Sequence, residues 1–489
     1  MQKVSCPSCG AEVTFRSTAS VMAVCDYCHS TLLKDAESVK DIGKMSDVLE
    51  DYSPIQINTS GVYLDKPFTV VGRIQLRYEA GFWNEWYVLF DDGGSGWLSD
   101  ASGQYVMTLP QESATAAPEF ESIVPGSRYT SQGTTFFAAD VRTAQCIAGQ
   151  GELPFKVGNG WQAKVADFRA DNRFLTLDYS EDGEPRLYLG RAVNLHEMRC
   201  QLLRSDDEIA STAGRFKGKT TALACPSCGG GIKYQAGMAF HVVCPSCHAE
   251  VDCSTDKAIV LQKHKELGQV QTTLSLGDVG NINQMKYNVI GLMKCRETNS
   301  GEFSEWVEYL LFNANAGYFW LVESDGEWER IQVLNEWPES AMSETPTFRS
   351  KTYKKLYEYG SVVIYAVGAF NWRVCVGDRT RIIDFGSEGE KLTVEISHKE
   401  MGWSLSKRIP ASTVGQWFNK PLADTSSFFS PTGDKAFSAK AAKIYSILFG
   451  VLNVPIAFAS GMDGLMVLLV GLALLWIPVF FHEQIAEAE

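Results

Sequence analysis

Apolar and polar positions alternate along much of the chain. Val13 and Phe15 are interleaved with Glu12 and Thr14, and Val70-Val71-Gly72-Arg73-Ile74-Gln75-Leu76-Arg77-Tyr78 and Trp86-Tyr87-Val88-Leu89-Phe90 show the same period. A period of two is that of a strand with one face buried. Asp91-Asp92-Gly93-Gly94 supplies a turn, and Trp97-Leu98 opens the next strand. Further strands are predicted over 161–168, 174–179 and 187–193, separated by Asp171-Asn172 and Glu181-Asp182-Gly183. Short strands at regular spacing with Asx and Gly turns indicate a small β-barrel or sandwich. Two stretches follow a helical period instead. Val39, Ile42, Met45 and Leu49 recur among charged residues over 35–52, which predicts a short amphipathic connector helix, and a second helical stretch is predicted over 193–203 to close the domain.

The pattern occurs twice. Displaced by 219 residues, Phe15 falls on Tyr234, Gly61 on Gly280, Val70 on Val289 and Gly72 on Gly291. With one residue of drift, Glu85-Trp86 falls on Glu305-Trp306. Farther on, Val165-Ala166-Asp167-Phe168 matches Ile382-Ile383-Asp384-Phe385, and Leu175-Thr176-Leu177 matches Leu392-Thr393-Val394. The chain is therefore read as a duplication whose unit is about 219 residues long, with a turn-rich linker at 205–220 between the copies.

The same offset relates two cysteine frames. Cys6-x2-Cys9-x15-Cys25-x2-Cys28 is repeated as Cys225-x2-Cys228-x15-Cys244-x2-Cys247. Four thiolates at this spacing suit a tetrahedral Zn2+ and leave no open coordination position, which marks a structural site rather than a catalytic one. Gly10 and Gly229 follow the first cysteine pairs and allow the tight knuckle of a rubredoxin-type ribbon. A ribbon this small depends on its metal to fold. His29 and His248 directly follow the last cysteines; they read more readily as surface groups or neighbours of the site than as alternative ligands. The remaining cysteines, at 146, 200, 253, 295 and 375, are odd in number and scattered, as in a reducing compartment.

The last part of the chain has a different character. Residues 444–460 and 465–481 carry no charge, and only Gly461-Met462-Asp463-Gly464 separates them. Each arm makes roughly 26 Å of helix against about 30 Å of hydrocarbon, close enough for a transmembrane hairpin with local adjustment. Lys435, Lys440 and Lys443 precede the first arm, while the turn has one aspartate and no lysine. Under the positive-inside rule the bulk of the chain and both termini lie in the cytoplasm, with the hairpin in the inner (cytoplasmic) membrane.

The fold expected is thus mainly β: zinc ribbons over 1–35 and 221–256, tandem small barrel or sandwich domains over 53–204 and 272–420, and a transmembrane helical hairpin over 441–482. Bulk composition narrows function. A net charge of −14 opposes binding to nucleic acid. Neither a His-Glu-x-x-His pair, nor a phosphate-binding Gly-x4-Gly-Lys-Ser/Thr loop, nor a Gly-x-Ser-x-Gly elbow is present, so an enzyme is not expected. Glu85, Trp86 and Trp97, with Glu305, Trp306 and Trp320, read first as cross-strand core. The sharper alternative is an aromatic and acidic pocket for a cation.

The Val-x-Gly and Glu-Trp…Leu-Phe…Trp-Leu signatures, with the ribbons and the hydrophobic hairpin, resemble bacterial proteins of the domain-of-unknown-function family 4178. The resemblance covers about 53–204 and 272–420. It implies no catalytic residues. It implies an association with membrane proteins and polyamine enzymes, and so a polyamine as a ligand. The reading that follows is a non-enzymatic scaffold or adaptor at the lipid bilayer, partnered by other membrane or cytoplasmic proteins. The alternative is a small-ligand sensor or an accessory protein of a membrane-associated polyamine system.

Overall fold

The computed structural model describes residues 2–424 except 18, 35–38, 46–47, 49, 80, 102, 113–115, 158–160, 213–223, 232–240, 254–258, 263–269, 299–303 and 314–315. Beyond 424 it describes only 446, 447, 449, 466, 470–473 and 476. Met1–Ala423 is one compact unit and Asp424–Glu489 another.

The alternating segments of the first copy form β1 (Lys66–Tyr78), β2 (Gly81–Phe90), β3 (Ser95–Ala101), β4 (Gln104–Pro110), β5 (Thr134–Leu153), β6 (Gln162–Ala170), β7 (Arg173–Asp178) and β8 (Arg186–Val193). Every pairing is antiparallel. β4 pairs with β8, and β5 turns back onto β1, so the ring closes in the order β1-β2-β3-β4-β8-β7-β6-β5. The second copy repeats this with β9 (Met285–Glu297), β10 (Glu305–Asn313), β11 (Gly317–Ser324), β12 (Glu327–Val333), β13 (Lys354–Phe370), β14 (Arg379–Ser387), β15 (Glu390–Ile396) and β16 (Met401–Ile409). There β13 closes on β9 and β12 on β16. The chain therefore contains two tandem eight-stranded barrels, and closure removes the sheet edges that would otherwise invite aggregation.

Closure requires backbones to approach closely. A Cβ on Gly72 would sit 1.8 Å from the Glu152 carbonyl oxygen, and one on Gly190 would sit 1.8 Å from that of Met107. A bulge falls at Val70/Gly72 and again at Val289/Gly291, bending both copies at the same place.

One face of each barrel is an outer apolar layer. In the first copy Trp86, Val88, Phe90, Leu98 and Met107 pack beneath Ile55 and Met198. In the second, Tyr309, Leu311, Leu321 and Trp328 lie beneath Val414 and Phe418 of the helix Ala411–Phe418. The opposite face looks into the barrel.

The ribbons are not separate beads. Met22–Val24 pairs with the end of β5 through Ala23 to Glu152 and Met22 to Leu153. His241–Val243 runs along the end of β13 from Phe370 to Gly368. Each ribbon thus continues the sheet of its barrel through the barrel's longest strand. The barrels also contact one another. The Val141 N–H donates to the Lys399 carbonyl at 3.1 Å, Arg142 pairs with Glu400 at 2.7 Å, and Ala139 joins the apolar cluster of Leu334, Trp337 and Trp403.

Two helix expectations are corrected. The connector over 35–52 contains the strand Val39–Lys44, antiparallel to Ser30–Lys34, with Met45 and Val48 buried after it. A helix this short is marginal alone, and the open ribbon edge offers its backbone better partners. Between 194 and 203 the chain makes successive turns. Arg199 and Leu202 are left-handed, which ends any helix there. Within the linker, by contrast, Asp206–Thr212 is helical. Its signal was a capping box, in which the Ser205 N–H donates to the Glu208 carboxylate at 3.1 Å and the Glu208 N–H to the Ser205 hydroxyl at 3.3 Å. The hairpin expected over 441–482 falls almost wholly outside the described residues, and among the described residues no helix is long and apolar enough to cross a membrane.

Candidate functional site

The cysteine frames fold into two compact quartets. In each, the four sulfurs lie within 4.8 Å of one another. Cys6 and Cys28 are 3.6 Å apart, Cys9 and Cys25 3.7 Å, Cys225 and Cys247 3.7 Å, and Cys228 and Cys244 3.9 Å. Tetrahedral zinc with bonds of about 2.3 Å needs sulfur–sulfur edges of about 3.8 Å, so both quartets fit such an ion. Each is built from two knuckles of identical form. The N–H groups of Gly10, His29, Gly229 and His248 donate to the carbonyls of Cys6, Cys25, Cys225 and Cys244 at 2.8–2.9 Å. All four donors are left-handed, with φ between 54° and 78°. His29 and His248 therefore hold the glycine positions of the second knuckles, and neither imidazole joins the ligand set. His248 is buried and packs edge-on against Tyr365.

The aromatic and acidic candidates do not form one pocket. Trp86 is buried in the outer core with the Arg73 guanidinium over its ring at 4.5 Å. Trp97 stacks obliquely with Tyr87 and Phe155, and Trp320 is buried against Phe370 and Trp372. Glu305 and Trp306 do line a surface pocket of about 400 Å³, together with Lys294 and Glu323. Glu305, however, is paired with Lys294 and with Arg296, which hold its carboxyl below the usual carboxylate range.

The barrel registers also correct the equivalence of Glu85-Trp86 with Glu305-Trp306. Gly72 faces Tyr87, and its counterpart Gly291 faces Leu310; Leu76 faces Trp83, and Cys295 faces Trp306. Across β2 and β10 the offset is thus 223, and the shared unit is Trp-x-Glu. Trp83 donates its indole N–H to Glu85 at 2.8 Å, and Trp306 donates to Glu308 at 2.7 Å. The hairpin between the first two strands has changed length, and a near-constant offset hid the change.

Both glutamates face into their barrels and meet acids from across the ring. In the first barrel burial pushes Glu85 up to about 7, helped by the charges of Asp167 and Asp178. In the second, burial followed by the charges of Glu308 and Asp384 pushes Glu395 up to about 8. Asp167 accepts from Thr176 and Asp384 from Thr393, each at 2.6 Å. The copies thus keep one interior constellation of Trp-x-Glu, Asp, Thr and a second acid. They do not keep the outer polar network. Arg73 and Asn84 of the first barrel correspond to Leu292 and Val307 of the second. Asp167 and Asp384 lie inside matched repeat segments, so the signal for them was present; their inward direction needed the barrel.

Comparison with known proteins bears on the barrels alone. No curated protein and no solved structure matches the chain. The model of a domain of unknown function, DUF4178, matches residues 56–195 and 275–411, which span the two barrels and omit both ribbons. These matches cover more than half of the sequence, and the chain belongs to the DUF4178 family.

Proposed function

We propose that the protein is a non-enzymatic adaptor that holds two closed barrels at the cytoplasmic face of a membrane. The observation that carries this reading is the coupling of ribbon to barrel. The ribbon strands continue the barrel sheet through β5 and β13, so an ion held by a quartet braces the sheet. Zinc suits four thiolates, and with all positions filled by sulfur it has no vacancy at which to activate water. The sites are rubredoxin-type knuckles in this reading, and their metal is structural. The uncharged arms at 444–460 and 465–481 supply the anchor, with the preceding lysines on the cytoplasmic side. Other membrane or cytoplasmic proteins are the partners such a platform would serve.

Membrane fractionation tests the anchor and the adaptor role together. The full chain should sediment with membranes and resist extraction by alkaline carbonate. A chain ending at residue 424 should be recovered in the soluble fraction with both metals bound. A full chain that washes off in carbonate would exclude the hairpin.

A further inference from the structure

The two barrels meet through unlike faces. The loop between β15 and β16 of the second barrel, residues 397–400, lies along an edge of β5 in the first. Asp140 bridges to Glu400, and the Val141 N–H donates to the Lys399 carbonyl. A bulge at Ala139 shapes this edge, and Ala139 is buried, at 6% exposure, in a cluster with Leu334 and Trp337.

Because the barrels are repeats, each of these surfaces has a counterpart. Asp140 stands opposite Asp167 and Tyr357 opposite Asp384, so Ala139 and Asp140 correspond to Leu356 and Tyr357, again at a bulge. The loop 397–400 corresponds to 180–184, between β7 and β8. Neither counterpart is used within the chain: among the described residues no hydrogen bond or ion pair joins either to the other barrel. Leu356 and Tyr357 are 49% and 60% exposed, and no strand covers the edge of β13 beside them. An open edge with exposed apolar side chains is a template for another chain.

Charge has changed on both free surfaces, in opposite senses. The covered edge carries Asp140, and Glu79 beside it pairs with the incoming Lys399 at 2.8 Å; the loop's one acid, Glu400, is met by Arg142. In the second barrel Tyr357 replaces Asp140, and the offset puts Thr298 in the place of Glu79. Lys354 and Lys355 stand where β5 has Phe137 and Ala138. Lys355 is engaged by Glu358 at 2.9 Å, whereas Lys354 is exposed and, among the described residues, forms no ion pair. The free loop reads Ser180-Glu181-Asp182-Gly183-Glu184 where the docked one reads Ser397-His398-Lys399-Glu400. Glu181 is taken by Arg186, and the charges of Glu119, Glu121 and Glu184 all bear on Tyr179 at the loop's base. Within the chain a basic loop thus meets an acidic edge, while an acidic loop and a lysine-bearing edge are left over. Placed on β5, the acidic loop would meet Asp140 and Glu79, so the charges also select against the wrong pairing.

We propose that the chain associates head to tail with a second copy of itself, the loop 180–184 of one chain docking on the β13 edge at Leu356 and Tyr357 of the next. The contact repeats between chains the one that the two barrels make within a chain. The Glu358 N–H takes the part of the Val141 N–H, and Lys354 receives the loop's carboxylates. A contact between unlike faces leaves one of each open at the ends, so copies add in a row or close into a ring. The proposal goes beyond the adaptor reading and is independent of the membrane anchor.

Static light scattering of the full chain in detergent, over a concentration series, tests it. The parent mass should rise with concentration past the dimer or stop at a closed ring. Leu356→Asp/Tyr357→Asp, which spoils the edge, and Asp182→Lys/Glu184→Lys, which spoils the loop, should each remain monomeric with the parent's melting temperature. Mixed together, they retain one sound loop and one sound edge and should form a dimer that grows no further. The loop variant alters only exposed side chains, so it remains informative if the edge variant fails to fold. A parent chain that stays monomeric would leave the edge to a different protein and overturns the proposal. Parent-like masses in both variants would place association in the uncharged arms and overturn it equally, as would a mixture that stays monomeric.

Discussion

Trp306 donates its indole N–H to Glu308 across 2.7 Å, and two residues of each strand suffice to define the same bond between Trp83 and Glu85. The bond explains how a carboxylate persists on the inner wall of both barrels. Trp needs an acceptor when buried, and a carboxylate beside it gains a charge-assisted partner. An amide would serve the indole as well, so the negative charge itself is what both copies have kept beyond the hydrogen bond.

That interior charge makes stability depend on pH. Glu395 faces the lumen near its mouth, where water still reaches it, and crowding by the barrel walls together with Glu308 and Asp384 pushes it up to about 8. The unfolded value is about 4.3, so the folded state holds a proton that the unfolded state releases. The contribution is full below about pH 4.3 and is lost as pH climbs through about 8. Urea unfolding midpoints between pH 6 and 9 should fall with rising pH, and Glu395→Gln should flatten that fall. A variant whose midpoints track the parent at every pH would contradict the assignment.

Glycines let the strands approach closely where the barrels close. At Gly190 a methyl would meet the Met107 carbonyl at 1.8 Å, so β4 and β8 would have to separate. Gly190→Ala should cost about 3 kcal/mol or more. Gly402 also lies in a barrel strand, but a Cβ there meets nothing within 4 Å. Gly402→Ala should be neutral to mildly stabilising, by up to about 1 kcal/mol. Chemical denaturation of the pair measures both, and equal effects would show that backbone approach is not the determinant.

A buried ion pair distinguishes the first barrel from the second. Arg73 pairs with Asp51 at 3.1 Å and bonds Asn84 at 2.8 and 3.0 Å, and Asn84 donates to Asp51 at 2.6 Å. Arg73→Leu alone strands a buried carboxylate and should cost about 3–5 kcal/mol. The second barrel has Leu292 and Val307 in the places of Arg73 and Asn84, and the offset puts Val270 in that of Asp51. Transplanting all three as Arg73→Leu/Asn84→Val/Asp51→Val should recover most of that loss. A triple variant weaker than the single one would mean the network is worth more than its removal.

The duplication, the strands after residue 53 and the cysteine quartets were legible in the chain because each depends on local period or fixed spacing. The closing contact of β5 with β1 was not, since it joins residues some seventy positions apart, such as Arg77 and Gln145. Nor was the fusion of ribbon to barrel, which uses the last residues of β5 and β13. The Glu-Trp equivalence failed because β2 and β10 differ in the hairpin that precedes them, and only paired registers expose such a slip. The interior acids at 167, 178, 384 and 395 look like ordinary polar positions of a half-exposed strand until closure turns that face inward.

Metal removal separates the ribbon from the barrel it extends. Zinc analysis of the purified full chain should find two ions, falling to one in Cys25→Ser or in Cys244→Ser. The first ribbon has an additional tie to its barrel. The buried Glu152 carboxylate, at the end of β5, accepts from the backbone N–H groups of Arg16 and Ser17 at 2.7 and 3.1 Å and from the Ser20 hydroxyl at 3.0 Å. The offset across β5 and β13 places Ala369 at the corresponding position, so the second ribbon lacks this tie. Losing the metal in Cys25→Ser therefore frees residues that Glu152 no longer holds in register, while the eight-stranded ring stays closed by its own pairings. Limited proteolysis should cleave that variant within residues 2–45 and leave 66–193 protected. Cleavage spreading through the first barrel would instead show that the metal is needed for closure itself, and the ribbon would be a nucleus of the fold rather than its extension.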